Sequence, residues 1–351
     1  MNLMDTLAAN LKRTPTIQHA IQHGGDPKVH EARFGVPKDG WLDLSTGINP
    51  VPYPLGPVPG EMFARLPLQS DLDALLRAAR LAYGVPDGAA IVASPGTQTL
   101  IQMVPTLFAP SSVSIMGPTY GEHAPAWAAA GHRVDDVGSI CAQAAQPAPF
   151  GVVVHPNNPD GRTQTVEGLL AFAGELHDRG GVLVVDEAFA DVTPELSVTP
   201  HSGCEGLVVL RSFGKFFGLA GVRLGFAVTT PELAERLAVK LGPWSVSGPA
   251  LWAGRQALGD LDWAKTTRAR LRADADRLDS LLQAAGLKIV GGTDLYRLGE
   301  SKQASVLFEA LGQAGILIRP FAYQPDWLRF GLPGSANGWA RLETALAAYS
   351  A

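Results

Sequence analysis

The chain has 351 residues, 46% of them hydrophobic and 17% charged, a globular composition with apolar mass for a large core. A formal net charge of −5 supplies no basic excess to neutralise phosphates, and two distant cysteines, Cys141 and Cys204, make neither a disulfide scaffold nor a Cys-rich zinc site. No apolar run reaches the roughly 18 residues a membrane helix needs, and Asp5 stands where a signal peptide needs its apolar stretch, so a cytoplasmic protein with no membrane or nucleic-acid partner is expected.

The first forty-odd residues carry no strong sheet signal. His19 and His23 are four apart, a spacing that can seat a metal on a helix, but no third ligand stands nearby and no metal is expected. Short apolar, β-branched runs then alternate with stretches of helical character. The runs cover 91–93, 113–116, 152–154, 182–185, 207–210 and 226–228. Unbroken apolar runs suit strands buried on both faces, and strands separated by helices predict a mostly parallel sheet sandwiched by helices, an α/β fold. The stretch 141–150 reads as a surface loop. Residues 250–285 are rich in Ala, Leu, Arg and Asp at helical spacing, and Gly286 is placed as a C-cap. Short runs at 288–290 and 316–318 around another helix predict a small α+β domain. The expected division is a segment over 1–44 that joins the small domain, a large domain over 45–245 and a small C-terminal domain over 246–351.

In open α/β sheets, ligands bind outside the carboxyl ends of the strands. The residues following the runs are Ser94-Pro95-Gly96-Thr97, Gly117-Pro118-Thr119-Tyr120, His155-Pro156-Asn157-Asn158-Pro159-Asp160-Gly161, Asp186-Glu187-Ala188-Phe189 and Arg211-Ser212-Phe213-Gly214-Lys215, continuing to Arg223. An anion-binding turn, an aromatic, an amide, a carboxylate and a lysine thus point to one sheet edge. No phosphate-loop, dinucleotide or serine-hydrolase motif competes: Phe216 follows Gly214-Lys215, and neither G-x-G-x-x-G nor G-x-S-x-G occurs.

In this order the residues resemble the fold-type I pyridoxal phosphate enzymes of the aspartate aminotransferase superfamily. The marks are Ser212-x-x-Lys215 with Arg223 eight residues on, Asn158-Pro159-Asp160-Gly161 and Asp186-Glu187-Ala188. The resemblance implies pyridoxal 5'-phosphate as cofactor, with Lys215 bonded to its aldehyde, Asp186 on its ring nitrogen, Asn158 on its ring oxygen and Tyr120 stacked on its face. Gly96 and Thr97 would hold the phosphate through helix N–H groups, helped by Ser212 and Arg223. Lys215, Asp186 and Tyr120 would be the catalytic set. Tyr53, in Asn49-Pro50-Val51-Pro52-Tyr53-Pro54, resembles the tyrosine that reaches the partner subunit's cofactor, which implies a homodimer with shared active sites. Local physics fits a buried lysine, since Phe213, Phe216, Phe217 and Leu219 surround Lys215 in sequence, and Asp186 follows an apolar run. Plainer roles stand beside these: a turn for Asn158, packing for Tyr120 and His23, and a solvated loop position for Arg319.

Two groups of this superfamily fit. One is the histidinol-phosphate aminotransferases. The other decarboxylates O-phospho-L-threonine to (R)-1-aminopropan-2-yl phosphate in cobalamin biosynthesis. His23-Gly24-Gly25-Asp26 and Asp43-Leu44-Ser45-Thr46-Gly47-Ile48-Asn49-Pro50 resemble the decarboxylase group, and the N-E-N-P-Y-G pattern usual in the aminotransferases is lacking. Phe189 stands where those enzymes usually carry Tyr. The decarboxylase resemblance is the stronger one. It implies Arg329 on the substrate carboxylate, Arg319 and His23 on its phosphate, and Gly47, Ile48 and Asn158 lining the substrate side.

Overall fold

A computed structural model describes residues 23–350, so His19 lies outside the described residues. Within them the strands are β1 (Leu42–Asp43), β2 (Ala90–Ser94), β3 (Ser112–Met116), β4 (Arg133–Val137), β5 (Phe150–Val154), β6 (Val182–Asp186), β7 (Leu207–Ser212), β8 (Gly225–Thr229), β9 (Lys288–Thr293), β10 (Tyr296–Glu300), β11 (Ile316–Leu317), β12 (Arg319–Pro320) and β13 (Trp327–Gly331). A seven-stranded sheet has the order β2-β8-β7-β6-β5-β3-β4. Its pairs are parallel from β4 to β7, and β8 runs antiparallel to both β7 and β2. This is the mostly parallel sheet the sequence predicts, with β8 as the exception.

Side chains along a strand alternate between faces, and both faces here are buried. Val182 and Val184 join one apolar cluster with Leu100, Trp127 and Leu237, while Leu183 and Val185 join the other with Phe172, Leu176 and Phe226. The sequence shows no run for β4 because its residues, Arg-Val-Asp-Asp-Val, are half polar. An edge strand meets water and needs no apolar run.

Two predicted stretches differ in the structure. Residues 141–150 are not one loop: Ser139 caps a short helix, Ile140–Ala144, whose buried Gln143 donates to Ser114 O and Val152 O and so stitches β3 to β5. The Ala-rich composition favours helix once Ser139 supplies the cap. The long helical stretch 250–285 is two helices, Gly248–Gly259 and Leu261–Ala284, broken at Asp260, whose side chain accepts from Trp263 N and caps the second. A second sheet, β12-β13-β10-β9, is antiparallel throughout, and β1 pairs in parallel with β11. Gly331 N donates to Leu44 O, and a Cβ on Gly331 would lie 2.3 Å from Thr46 O, so the 44–46 backbone lies directly against β13. Among the described residues no helix is long and apolar enough to cross a membrane, and no group of three metal-ligating side chains occurs.

Candidate active site

Because β8 is antiparallel to both neighbours, the carboxyl ends of β2 and β7 and the start of β8 share one edge: Ser94 and Ser212 both register with Gly225. That edge brings Gly96, Thr97, Ser212 and Arg223 together. Gly96 has φ 87°, and a Cβ there would lie 2.6 Å from Arg223 Nη2, so only glycine lets the guanidinium cover this turn. Thr97 begins the helix Thr97–Met103, and its hydroxyl donates to Arg211 O. Arg223 adopts φ 57°, a left-handed conformation costly for a side-chain-bearing residue and typical of functional sites. The result is a compact turn covered by one guanidinium.

Beside it, the short helix Phe213–Phe216 lifts Lys215 off the end of β7. A Cβ at Gly214 would lie 2.6 Å from Ala220 Cα, so glycine permits this tight rise. Burial first, then the Arg329 and Arg223 guanidinium groups, push the Lys215 amine down to about 8, against a pull upward from Asp186. Asp186 ends β6 in the middle of the sheet and is buried. Its Oδ1 accepts from Ala188 N at 3.0 Å, and its Oδ2 meets His123 Nε2 at 2.9 Å. His123, also buried, opens the helix His123–Ala129. His123 was not legible in the sequence, although it lies in the same segment after β3 as Tyr120. Tyr120 packs edge-on to His123 with ring centres 6.1 Å apart, and its hydroxyl donates to Gln98 Oε1 at 3.2 Å. Burial, then Glu122 and Asp186, raise Tyr120 to about 12.

Facing Lys215 is a buried guanidinium. Arg329 on β13 donates from Nη1 to Asn158 Oδ1 and from Nη2 to Ser45 O at 2.8 Å, and burial pushes its pKa down to about 10. With Asn158 Oδ1 accepting, its amide nitrogen is left to donate elsewhere. The neighbouring Asn157 braces the loop, accepting from Thr119 Oγ1 at 2.6 Å and donating to Pro118 O and Asp160 Oδ1. Arg319 is half-buried in register with Arg329, and its guanidinium, after burial, helps lower the pKa of Arg329. Gly47 packs on Phe189 and Tyr296, while the adjacent Ile48 lies half-buried beside Asn49, whose N–H donates to Lys215 O.

Two expected positions have partners of their own. His23 Nε2 meets Glu122 Oε1 at 2.6 Å, with the rings of His23 and Tyr120 6.0 Å apart, so a carboxylate occupies one ring nitrogen. Tyr53 donates to Asp260 Oδ2 of its own chain at 3.3 Å and packs edge-on against Phe217 and Trp263.

Residues 71–342 match the family profile of aminotransferase class I and II. A threonine-phosphate decarboxylase from a Sinorhizobium species is 46% identical over 331 residues, 93% of this chain and 98% of that protein. One from Pseudomonas aeruginosa is 42% identical over 93% of this chain and 97% of its own length. Among solved structures, histidinol-phosphate aminotransferase from Sinorhizobium meliloti in complex with pyridoxal-5'-phosphate superposes with a TM-score of 0.78 at 21% identity, covering 96% of this chain and 97% of that one. L-threonine-O-3-phosphate decarboxylase from Porphyromonas gingivalis gives 0.68 at 19%, covering 83% and 94%. These structural likenesses establish a shared fold-type I architecture. The chain belongs to the aminotransferase class I and II family and, within it, groups with proteins named threonine-phosphate decarboxylase.

Proposed function

We propose that this chain binds pyridoxal 5'-phosphate and decarboxylates O-phospho-L-threonine to (R)-1-aminopropan-2-yl phosphate, a reaction of cobalamin biosynthesis. The residues present fit the cofactor: Gly96 leaves room under Arg223 that a Cβ would fill, a buried lysine has a lowered pKa, and a buried carboxylate at the end of β6 is held by Ala188 N and His123. Gly96, Thr97, Ser212 and Arg223 would hold its phosphate, Asp186 its ring nitrogen, Asn158 its ring oxygen, Tyr120 its face and Lys215 its aldehyde. Bound there, the cofactor supplies an electron sink for the bond broken at Cα.

The observation that carries the reading is the burial of Lys215 within electrostatic reach of two guanidinium groups, Arg223 above the Gly96 turn and Arg329 on β13. Arg329 and Asn158 orient the amino-acid carboxylate, and Arg319 with His23 takes the substrate phosphate. The backbone of Gly47 and Ile48 lines the carboxylate side. An amine with a pKa near 8 can carry a proton at neutral pH, so Lys215 Nζ returns a proton to Cα once carbon dioxide has left. Phe189 presents no hydroxyl toward Lys215, 5.9 Å from its ring.

We also read the chain as a homodimer of two-domain subunits, divided near 45 and 245, in the cytoplasm. Large apolar side chains are exposed at Val51, Phe63, Leu66, Leu68 and Trp244, a surface a second copy can cover. Tyr53 lies beside Val51 in this stretch, and its bond to Asp260 leaves its hydroxyl oxygen able to accept from outside. The test of the activity is product analysis: carbon dioxide released from O-phospho-L-threonine without an amino acceptor supports it. Histidinol phosphate consumed only with 2-oxoglutarate, and phosphothreonine untouched, would overturn it.

A further inference from the structure

Tyr296 opens β10 and is fully buried. A phenylalanine would fill the same space without a hydroxyl to satisfy, so the polar atom needs a reason. The hydroxyl donates to Asn157 O at 2.5 Å, on the segment that carries Asn158. The ring lies under Arg329, with the guanidinium carbon 5.1 Å from its centre. Phe189 meets the ring edge-on with centres 5.0 Å apart and planes at 79°. From the third side comes Gly47, where a Cβ would lie 2.7 Å from Tyr296 Cδ1 and 2.9 Å from Phe189 Cε1. The ring is therefore wedged and has no room to turn.

We infer that Tyr296 is a positioning residue for the reaction: its ring beneath Arg329 and its hydroxyl on Asn157 O set the guanidinium and the Asn158 amide as one unit. The inference rests on the reading of Arg329 as the carboxylate-binding group. Arg329 Nε is buried without a partner among the described residues, so stacking and the two Nη bonds alone fix the plane of this guanidinium. A two-pronged carboxylate contact is coplanar with the guanidinium, so the plane of Arg329 becomes the plane of the substrate carboxylate. With the cofactor bound, that plane would bear on which bond at Cα breaks. In decarboxylation the Cα–carboxylate bond breaks, its electrons stay with the substrate, carbon dioxide leaves and Cα takes a proton. In the competing path the Cα proton leaves and is returned to the cofactor carbon. Water then releases the phosphorylated 2-oxo acid, and the amino group stays on the cofactor as its pyridoxamine form. A loosened Arg329 admits the second path.

The experiment compares holoenzymes carrying Tyr296→Phe, Tyr296→Leu and Arg329→Lys with the parent, using O-phospho-L-threonine and no amino acceptor. Carbon dioxide is measured against pyridoxamine form by absorbance, with KM, kcat and melting temperature recorded separately. Loss of the hydroxyl bond in Tyr296→Phe should raise KM about threefold to tenfold and the pyridoxamine fraction about threefold, with kcat nearly kept. Tyr296→Leu, lacking the ring too, should raise that fraction about tenfold or more. A residue that only supports folding would lower the melting temperature without moving the partition. Tyr296→Phe decides the matter because it keeps the ring volume, whether or not the leucine variant folds. Parental KM and partition in Tyr296→Phe, with Arg329→Lys altering both, overturn the role of Tyr296 and leave Arg329 standing. Parental behaviour in Arg329→Lys removes the reading beneath it and the inference together.

Discussion

His123 Nε2 lies 2.9 Å from Asp186 Oδ2, and both side chains are buried at the centre of the sheet edge. A carboxylate only accepts, so Nε2 carries the hydrogen and the imidazole is fixed in one orientation. With Ala188 N on Oδ1, the pair holds the carboxylate in a single pose. His123→Leu removes a charge-assisted bond and should lower kcat about 10- to 100-fold with KM little changed. Asp186→Ala should cost more in turnover, because the electron sink matters mainly in the transition state. Steady-state kinetics of the two holoenzyme variants check this; parental kcat in either one counts against the assigned pair.

Lys215 should carry the cofactor and show its lowered pKa in the rate of cofactor capture. Only the neutral amine attacks an aldehyde. Its pKa falls from 10.5 to about 8, so the neutral fraction is lost below about 8 and is nearly complete a unit or more above it. Capture of pyridoxal phosphate by apoenzyme should therefore rise with pH and level off just above 8, where an ordinary lysine would still be climbing. Stopped-flow absorbance reads the profile, and continued increase toward 10.5 contradicts it. Borohydride reduction and peptide mapping should place the pyridoxyl group on Lys215, and Lys215→Ala should leave less than about a thousandth of the activity.

Directly beneath the site, Arg211 is buried between Glu187 at 2.7 Å and Asp191 at 2.9 Å, with the ring of Tyr83 4.3 Å from its guanidinium carbon. Glu187 also accepts from Ser197 Oγ, Val198 N and Thr199 Oγ1. Arg211→Leu strands two carboxylates in the core and should cost about 3–5 kcal/mol. Urea unfolding at neutral pH measures it. A loss below about 1 kcal/mol would mean that the carboxylates take up protons or find other donors.

The strands facing the core were legible because 182–185 or 207–210 can only be buried, and burial on both faces leaves no alternation to read. The polar edge strand β4 and the break at Asp260 were not, since an edge needs no apolar run and one capping aspartate looks like any other charge in a helix. Lys215, Asp186 and Arg223 were legible from spacing along one segment and at strand ends. His123, Tyr296 and Glu122 were not: each acts through a partner 63, 139 or 99 positions away, a proximity that only the folded chain creates.

Arg319 and Arg329 stand opposite each other on β12 and β13, two guanidinium groups of like charge, one half-buried and one buried. Each half-buried or buried cation is held in a place that burial disfavours. A substrate with a carboxylate at one end and a phosphate at the other relieves both, whereas unphosphorylated L-threonine relieves only one. A charge-assisted contact to phosphate is worth about 1.5–3 kcal/mol, so L-threonine should be poorer by about one to two orders of magnitude in kcat/KM. Arg319→Ala should shrink that preference, since the contact it removes exists only for the phosphorylated compound. Arg329→Ala should weaken both compounds alike, since both carry the carboxylate. Parallel kcat/KM measurements on the two amino acids with each variant decide the assignment. An Arg319→Ala enzyme that keeps the parental kcat/KM on both compounds would move the phosphate site elsewhere, and one that weakens both by the same factor would give Arg319 the carboxylate instead.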